Sequence, residues 1–345
     1  MNYSLFRPNS IIFRISALAL FLGFSNTSVA ANEVNVYSLR QPFLTDPIFD
    51  AFTKETGIKV NTVFAKEGLI ERLQNEGRNS PADLLIAADI GRLSAAVDAG
   101  VAQAVKSDVL QKNIPEAYRD PADQWFGLTN RARLIVTAKG RVEPGLFESY
   151  EDLAKPELKG RLCTRSGKHE YMVALIASVI VHEGLDSARS WLNGLKENLA
   201  RKPQGNDRAQ VKAVAEGQCD IAIINSYYLG AMAQDAEQKP WFDAVNIVFP
   251  NQQGRGTHMN ISGILMTKAA PHRDNALKLM EYLTSDEAQR LYADGNNEYP
   301  VRADIEPSDL VASWGTFKAD TLPLADIAKQ RANATRLVDE VDYDG

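Results

Sequence analysis

Short apolar runs alternate with amphipathic segments along the chain, and this alternation constrains the fold more than any other feature. Continuous or period-two apolar runs predict buried strands, whereas apolar residues three and four apart predict helices. The pattern predicts strands over 34–37, 58–64, 83–87, 133–138 and 220–225, and helices over 46–56, 66–76, 90–99, 171–182, 187–199 and 208–216. Strands alternating with helices predict an α/β fold with a largely parallel sheet covered on both faces.

The N-terminus has the features of an export signal. Arg7 and Arg14 precede an apolar segment, Ile15 to Phe24, and Ser28-Val29-Ala30 forms a small-residue cleavage site. The apolar segment is shorter than the ~20 residues that a membrane helix needs. We therefore predict a signal peptide over residues 1–30 and an exported chain that is not an integral membrane protein; an uncleaved anchor is the alternative.

The exported chain would have about 315 residues, which predicts two domains. Loss of the signal removes two arginines and changes the net charge from −6 to −8. An acidic chain without a basic tract is a poor candidate for binding nucleic acid.

Catalytic and nucleotide-binding motifs are not found. The sequence has no G-x-G-x-x-G, G-x-x-x-x-G-K-[ST], H-E-x-x-H or G-x-S-x-G. His258 lies in a glycine-rich connection without an evident nucleophile as partner. We therefore predict that the protein is not an enzyme, with an exported hydrolase as the alternative.

The two cysteines, Cys163 and Cys219, form an even pair in an exported chain, which favours a disulfide. Two buried free thiols are the alternative. A disulfide would connect the strand before Tyr227 to the segment "GRLCTRSGKHEY", which contains Tyr171.

Tyrosines are the most distinctive polar residues. Tyr227 and Tyr228 follow a predicted strand, and Tyr171 lies in a predicted helix for which Ser166 is the candidate N-cap, with amides suited to an anion. A hard trivalent cation prefers anionic oxygen ligands, and a nearby cation would deprotonate a phenol. Tyrosine pairs more commonly serve as amphipathic core or rim residues. Arg131 and Arg133 lie two residues apart at the entry to a predicted strand. Alternation would send both to one face only if the strand has already begun at residue 131, so we expect only Arg131, which is nearer the open end, to face a cleft.

Six stretches together resemble the periplasmic ferric-iron-binding proteins of iron ABC transporters: "NVYSLRQPFL", "FTKETGIKVNTVFAKEGLIERLQNEGRNSPADLL", "CTRSGKHEY", "ARKPQGNDRAQVKAVAEGQCDIAIINSYYLG", "FPNQQGRGTHMNISG" and "VASWGTFKADTLPL". The resemblance implies a type II periplasmic-binding-protein fold, with two α/β lobes that close on Fe³⁺. It implies Tyr171, Tyr227 and Tyr228 as ligands, and Arg131 as the partner of a bound carbonate. It also implies delivery to an inner-membrane ABC permease with its ATPase, and we expect a monomer.

The sequence departs from this family in the first strand–helix loop. Several members donate a His or Tyr there, whereas Arg40 is followed here by Gln41-Pro42-Phe43. We therefore predict three phenolates, an exogenous anion such as carbonate, and water around the iron. Tyr37, Arg40 and Gln41 are further candidate cleft residues.

Each lobe is expected to contain a mixed, mostly parallel sheet flanked by helices, with two crossover strands near 130–134 and 255–259 as the hinge. The N-terminal lobe would comprise 32–132 and 256–305, and the C-terminal lobe 133–255 and 306–345. A protein of the same fold that binds an organic solute, such as a polyamine or thiamine, is the main alternative. A different cation, or ferrous iron, is another.

Overall fold

The computed structural model describes residues 1–3 and 32–345, and residues 32–345 form one unit. The predicted signal peptide lies outside the described residues, apart from its first three. Within the described part of the chain, no helix combines the length and apolar character needed to cross a bilayer.

Ten strands are present in the described residues: β1 (Glu33–Ser38), β2 (Lys59–Phe64), β3 (Leu84–Ala87), β4 (Ala102–Gln103), β5 (Phe126–Ala138), β6 (Leu162–Cys163), β7 (Ile221–Asn225), β8 (Val245–Val248), β9 (Met259–Thr267) and β10 (Tyr299–Pro300). The helices of the same residues are α1 (Pro42–Thr56), α2 (Leu69–Glu76), α3 (Ile90–Asp98), α4 (Asp108–Asn113), α5 (Glu170–Glu183), α6 (Leu185–Glu197), α7 (Asp207–Ala215), α8 (Ser226–Gln234), α9 (Lys239–Asp243), α10 (Arg273–Tyr282), α11 (Asp286–Asn296), α12 (Asp309–Ala312), α13 (Leu324–Lys329) and α14 (Arg331–Val341). Short 3₁₀ helices span Gly77–Asn79, Glu116–Tyr118, Glu151–Ala154 and Pro156–Leu158.

The strands form a mixed sheet in the order β2-β1-β3-β9-β5-β7-β6. The α/β class is as predicted, but the expectation of a mostly parallel sheet was wrong. Parallel pairing is confined to β2-β1-β3 and β6-β7, because the long strands β5 and β9 run antiparallel to all their neighbours.

Strand β5 changes partners midway along its length. Ala132 is its last residue paired with β9, and Arg133 is its first residue paired with β7. The hydroxyl of Tyr150 lies near this point. It donates a hydrogen bond to the carbonyl of Arg133 on β5 and accepts one from the amide of His258. One buried side chain therefore connects β5 to the residue before β9.

Helices cover the sheet on both faces. Leu84 and Ile86 of β3 pack into one core cluster, and Leu85 and Ala87 pack into another, as the period of a strand requires. Helix α5 is buried on all sides from Tyr171 to Ile180, which is typical of a helix inside a core.

Glycine ends α1 where the sequence predicts it. Gly57 is left-handed at φ 71°, and its amide donates to the Thr53 carbonyl. The helix begins earlier than predicted, at Pro42, because proline suits the first helical position. Strand β5 likewise begins at Phe126 rather than Arg133.

The predicted disulfide between Cys163 and Cys219 is confirmed, with their Cα atoms 5.9 Å apart. Cys163 lies on β6, which pairs with β7 in parallel, and Cys219 lies just before β7. The bridge therefore joins the two chain segments that lead to Tyr171 and to Tyr227.

Candidate metal centre

Tyr227 and Tyr228 lie in the first turn of α8, which begins directly where β7 ends. The hydroxyl of Ser226 accepts a hydrogen bond from the Ala132 amide at 3.2 Å and so anchors this turn to β5. The two tyrosine rings are 4.2 Å apart between centroids. The strand–helix junction therefore presents two phenols from one short segment.

Tyr171 comes from α5 and meets this pair. Its hydroxyl oxygen is 3.2 Å from that of Tyr227, so the two phenols share a hydrogen bond. The predicted N-cap, Ser166, was wrong: His169 caps α5, and its Nδ1 accepts from the Tyr171 amide. The Ser166 hydroxyl and the Gly167 amide instead donate to the carboxylate of Asp344. A carboxylate of the protein itself therefore takes the amide and hydroxyl donors where an anion was expected.

The environment of the phenols favours their neutral form. Burial raises the pKa of Tyr171, although the Arg131 guanidinium opposes this shift. Burial also raises the pKa of Tyr227 well above its usual value, and the neighbouring phenols Tyr171 and Tyr228 raise it further. These hydroxyls need a nearby cation before they can lose their protons at neutral pH.

Arg131 and Arg133 lie on the same strand but have different surroundings. Arg133 is buried, and its Nη1 donates to Asp207 at 2.8 Å and to Asn225 at 3.1 Å. Arg131 lines the cavity beside Tyr171 and donates from Nη1 to the Ser262 hydroxyl at 3.0 Å. In the described part of the chain, its Nε and Nη2 have no hydrogen-bond partner. Of these two arginines, only Arg131 therefore lines the cavity and lacks a carboxylate partner among the described residues.

These groups surround a cavity of about 720 Å³. The lining comes from the β1–α1 junction, from the residues around the end of α11, and from α5, α7 and α8. The lining side chains that carry charge or a phenol are Arg40, Arg92, Arg131, Glu170, Tyr171, Arg208, Tyr227, Tyr228, Asp235 and Glu298. Across the described residues, no three His, Cys, Asp or Glu side chains are arranged to hold a metal.

The other predicted cleft residues differ in position. Arg40 and Gln41 line the cavity, and Arg40 donates to Glu298 at 2.9 Å. Tyr37 does not line it: its hydroxyl donates to Glu76 at 2.9 Å, near the end of α2. The expectation of Tyr37 as a cleft residue is therefore not supported, because the phenol is directed at that carboxylate.

Sequence reasoning did not identify several cavity residues. Arg92 and Glu170 form an ion pair of 2.5 Å across 78 positions of sequence, and Arg40 and Glu298 are 258 positions apart. No local pattern signals such pairs. Arg208 had a local signal, since it lies in the "GNDRAQ" stretch of the family resemblance, but its side chain was not singled out.

The fold and cavity are those of a binding protein, and comparison with known proteins agrees. Residues 35–290 match the profile of bacterial extracellular solute-binding proteins, and the chain belongs to this family.

Several relatives are known as iron-binding proteins. Iron uptake protein A1 from Synechocystis is 43% identical over 322 residues, covering 92% of this chain and 89% of its own length. The crystal structure of Mannheimia haemolytica ferric iron-binding protein A in an open conformation has a TM-score of 0.87 and 55% identity, over 91% of this chain and 100% of that one. The structure of the Trichodesmium protein (IdiA, FutA) in complex with iron and citrate has a TM-score of 0.87 and 43% sequence identity. The match covers 90% of this chain and 99% of that one.

Proposed function

We propose that the protein binds ferric iron in this cavity, through the phenolates of Tyr171, Tyr227 and Tyr228. The observation that carries the proposal is the convergence of these three side chains, with two hydroxyl oxygens 3.2 Å apart, beside the guanidinium of Arg131, which has no carboxylate partner among the described residues. The names of the relatives, including iron uptake protein A1 and ferric iron-binding protein A, support iron as the ligand.

The ligand chemistry follows from the charges. Ferric iron with three phenolates is neutral, and the metal supplies the field that removes the phenolic protons. Since Gln41 and Pro42 provide no anionic oxygen at the first loop, a carbonate or another exogenous anion and water would complete the coordination shell. Arg131 is the residue that would bind this anion, because a guanidinium matches a planar oxyanion through paired hydrogen bonds.

The transport role rests on motion between two lobes. One lobe would comprise 32–132 and 256–305, and the other 133–255 and 306–345, with closure around the ligand as in other hinged binding proteins. The change of partner along β5 between Ala132 and Arg133 supports a hinge at this point. The closed protein would deliver iron in the periplasm to an inner-membrane ABC permease and its ATPase, acting as a monomeric carrier without catalytic activity.

An organic solute is the competing ligand, since a cavity of about 720 Å³ is large enough for one. The charges argue against a polyamine or thiamine, which are cations. Two of the three cavity carboxylates, Glu170 and Glu298, are paired with Arg92 and Arg40, and the third, Asp235, accepts from the amides of Glu237 and Gln238. Arg131 has no acidic partner among the described residues. Iron with an accompanying anion fits this distribution better.

The visible spectrum of protein loaded with ferric citrate tests the proposal. We expect an orange to red colour from phenolate-to-iron charge transfer, and loss of colour and tight binding when Tyr227 and Tyr228 are both replaced by Phe. Tyr37→Phe is the matched control, because it removes a phenol outside the cavity and should leave the spectrum unchanged. Unchanged iron affinity in the folded double variant would refute this ligand set.

A further inference from the structure

The loop between the disulfide and helix α5, residues 164–169, determines where the ring of Tyr171 lies. The guanidinium carbon of Arg165 is 5.0 Å from the ring centroid of Tyr171, and the ring of His169 packs edge-on against the same ring, with centroids 4.6 Å apart. His169 also caps α5, because its Nδ1 accepts from the Tyr171 amide at 3.2 Å. A displacement of this loop would therefore move the Tyr171 hydroxyl away from that of Tyr227, from which it is 3.2 Å distant.

Two residues that follow α14, Tyr343 and Asp344, hold this loop. The two carboxylate oxygens of Asp344 accept separate hydrogen bonds, one from the Ser166 hydroxyl at 2.6 Å and one from the Gly167 amide at 2.8 Å. The Tyr343 hydroxyl lies 2.9 Å from the hydroxyl of Thr164 and shares a hydrogen bond with it. Two neighbouring side chains therefore fix three residues of the loop.

Close packing reinforces these hydrogen bonds. Tyr343 is only 1% exposed, and a Cβ on Gly167 would lie 2.8 Å from Cδ1 of its ring, so the loop can approach the ring this closely only with glycine. The ion pair of Lys168 with Asp339 also joins the loop to α14, but its side chains are 59% and 57% exposed, and exposed pairs contribute little. The buried ring of Tyr343, rather than the exposed pair, therefore fixes the loop on this side.

We propose that Tyr343 and Asp344 are positioning residues of the iron site, which hold the 164–169 loop in the conformation that brings the Tyr171 hydroxyl to the other two phenols. Neither residue lines the cavity, so both would act through Tyr171. This inference rests on the proposed function and adds to it the residues that set the geometry of one ligand. The competing explanation gives Tyr343 and Asp344 a role in the stability of the fold alone.

A double-mutant cycle separates the two explanations. Asp344→Ala is made in wild type and in Tyr171→Phe, which lacks the ligand oxygen that the loop positions. Iron affinity is measured by competition with citrate, the charge-transfer band reports the phenolate ligands, and the thermal midpoint of each iron-free protein reports stability. Asp339→Asn is the matched control, because it removes the exposed contact of α14 with the same loop.

In wild type, Asp344→Ala should weaken iron binding about tenfold, and by no more than Tyr171→Phe does, because it acts through that ligand. In the Tyr171→Phe background, the same substitution should change the affinity by less than about twofold. The charge-transfer band of Asp344→Ala should shift towards that of Tyr171→Phe, because one phenolate is displaced. Asp344→Asn should lose less affinity than Asp344→Ala, since the amide keeps one acceptor oxygen. Asp339→Asn should match wild type in affinity and spectrum.

The outcomes distinguish this inference from the proposed function. Equal losses of affinity in the two backgrounds, or wild-type affinity and spectrum in Asp344→Ala, would overturn the positioning role, whatever the change in thermal midpoint. If Asp344→Ala does not fold, Asp344→Asn and Tyr343→Phe take its place in the cycle. Wild-type affinity in Tyr171→Phe would remove Tyr171 from the ligand set, and this inference with it. Absence of a charge-transfer band in iron-loaded wild type would instead refute the proposed function itself.

Discussion

Replacement of Arg131 by Ala tests the anion site most directly. Two nitrogens of this buried side chain have no hydrogen-bond partner among the described residues, so both are available to a planar oxyanion. A hydrogen bond to a charged group contributes about 1.5–3 kcal/mol, which predicts a loss of about 10- to 150-fold in iron retention. The assay is competition for iron with citrate, with and without added bicarbonate. Identical responses of wild type and Arg131→Ala to bicarbonate would refute the reasoning.

Further variants separate charge, geometry and stability. Arg131→Lys should recover only part of the loss, because lysine keeps the charge but lacks the planar fork. Ser262→Ala removes only the hydrogen bond that positions the guanidinium, so its effect should be smaller. Arg131→Met should leave the iron-free protein as stable as wild type, or more so, since it removes a buried charge without an acidic partner. A lower thermal midpoint of iron-free Arg131→Met than of wild type would contradict the expectation of equal or greater stability.

Two other predictions concern stability and covalent structure. Alkylation of the unreduced protein should add no label by intact mass, because Cys163 and Cys219 are bridged; two labels would contradict the bridge. Burial, reinforced by the nearby Arg255 and Arg133 guanidinium groups, lowers the pKa of His258 to about 3 from 6.5, so its contribution to stability is present above pH 6.5 and lost as the pH falls towards 3. His258→Leu should therefore show a smaller fall in its thermal midpoint over that range than wild type, and an equal fall would contradict the assignment.

Each of the six predicted helices is observed, because helix periodicity and end signals lie within a few neighbouring residues; α4 and α8 to α14 were not predicted. The helix predicted over 171–182 is observed as Glu170–Glu183, and Gly57 ends α1 in the left-handed conformation that favours glycine. Strand direction has no such signal. The apolar run of β7, residues 221–224, predicts a buried strand whichever way its neighbours run. β7 pairs with β6 in parallel and with β5 antiparallel, and the antiparallel centre of the sheet was therefore missed.

In the candidate site, too, local features could be predicted from sequence and long-range contacts could not. Tyr227 and Tyr228 could be chosen from sequence because they directly follow a recognisable strand, and Arg131 because it precedes an apolar run; the structure places Arg131 inside β5 rather than at its entry. The position of the Tyr37 side chain could not be predicted, since the carboxylate that accepts its hydrogen bond, Glu76, belongs to a different element, α2. Arg92 and Glu170 were overlooked because their ion pair joins positions 78 apart in the sequence, which no local pattern signals.

The connections among the tyrosine-bearing segments bear on how the proposed carrier would bind and release its ligand. Tyr171 follows β6 and Tyr227 follows β7; these strands are paired with each other and joined by the disulfide. Ser226 further anchors the start of α8 to β5. All three phenols therefore belong to one connected group of elements, on the C-terminal side of the proposed hinge. Lobe closure would then change the solvent access of bound iron and the approach of Arg40 and Gln41, but it would leave the three phenolic ligands together. Iron capture by the open protein, before closure, is the expected order of events.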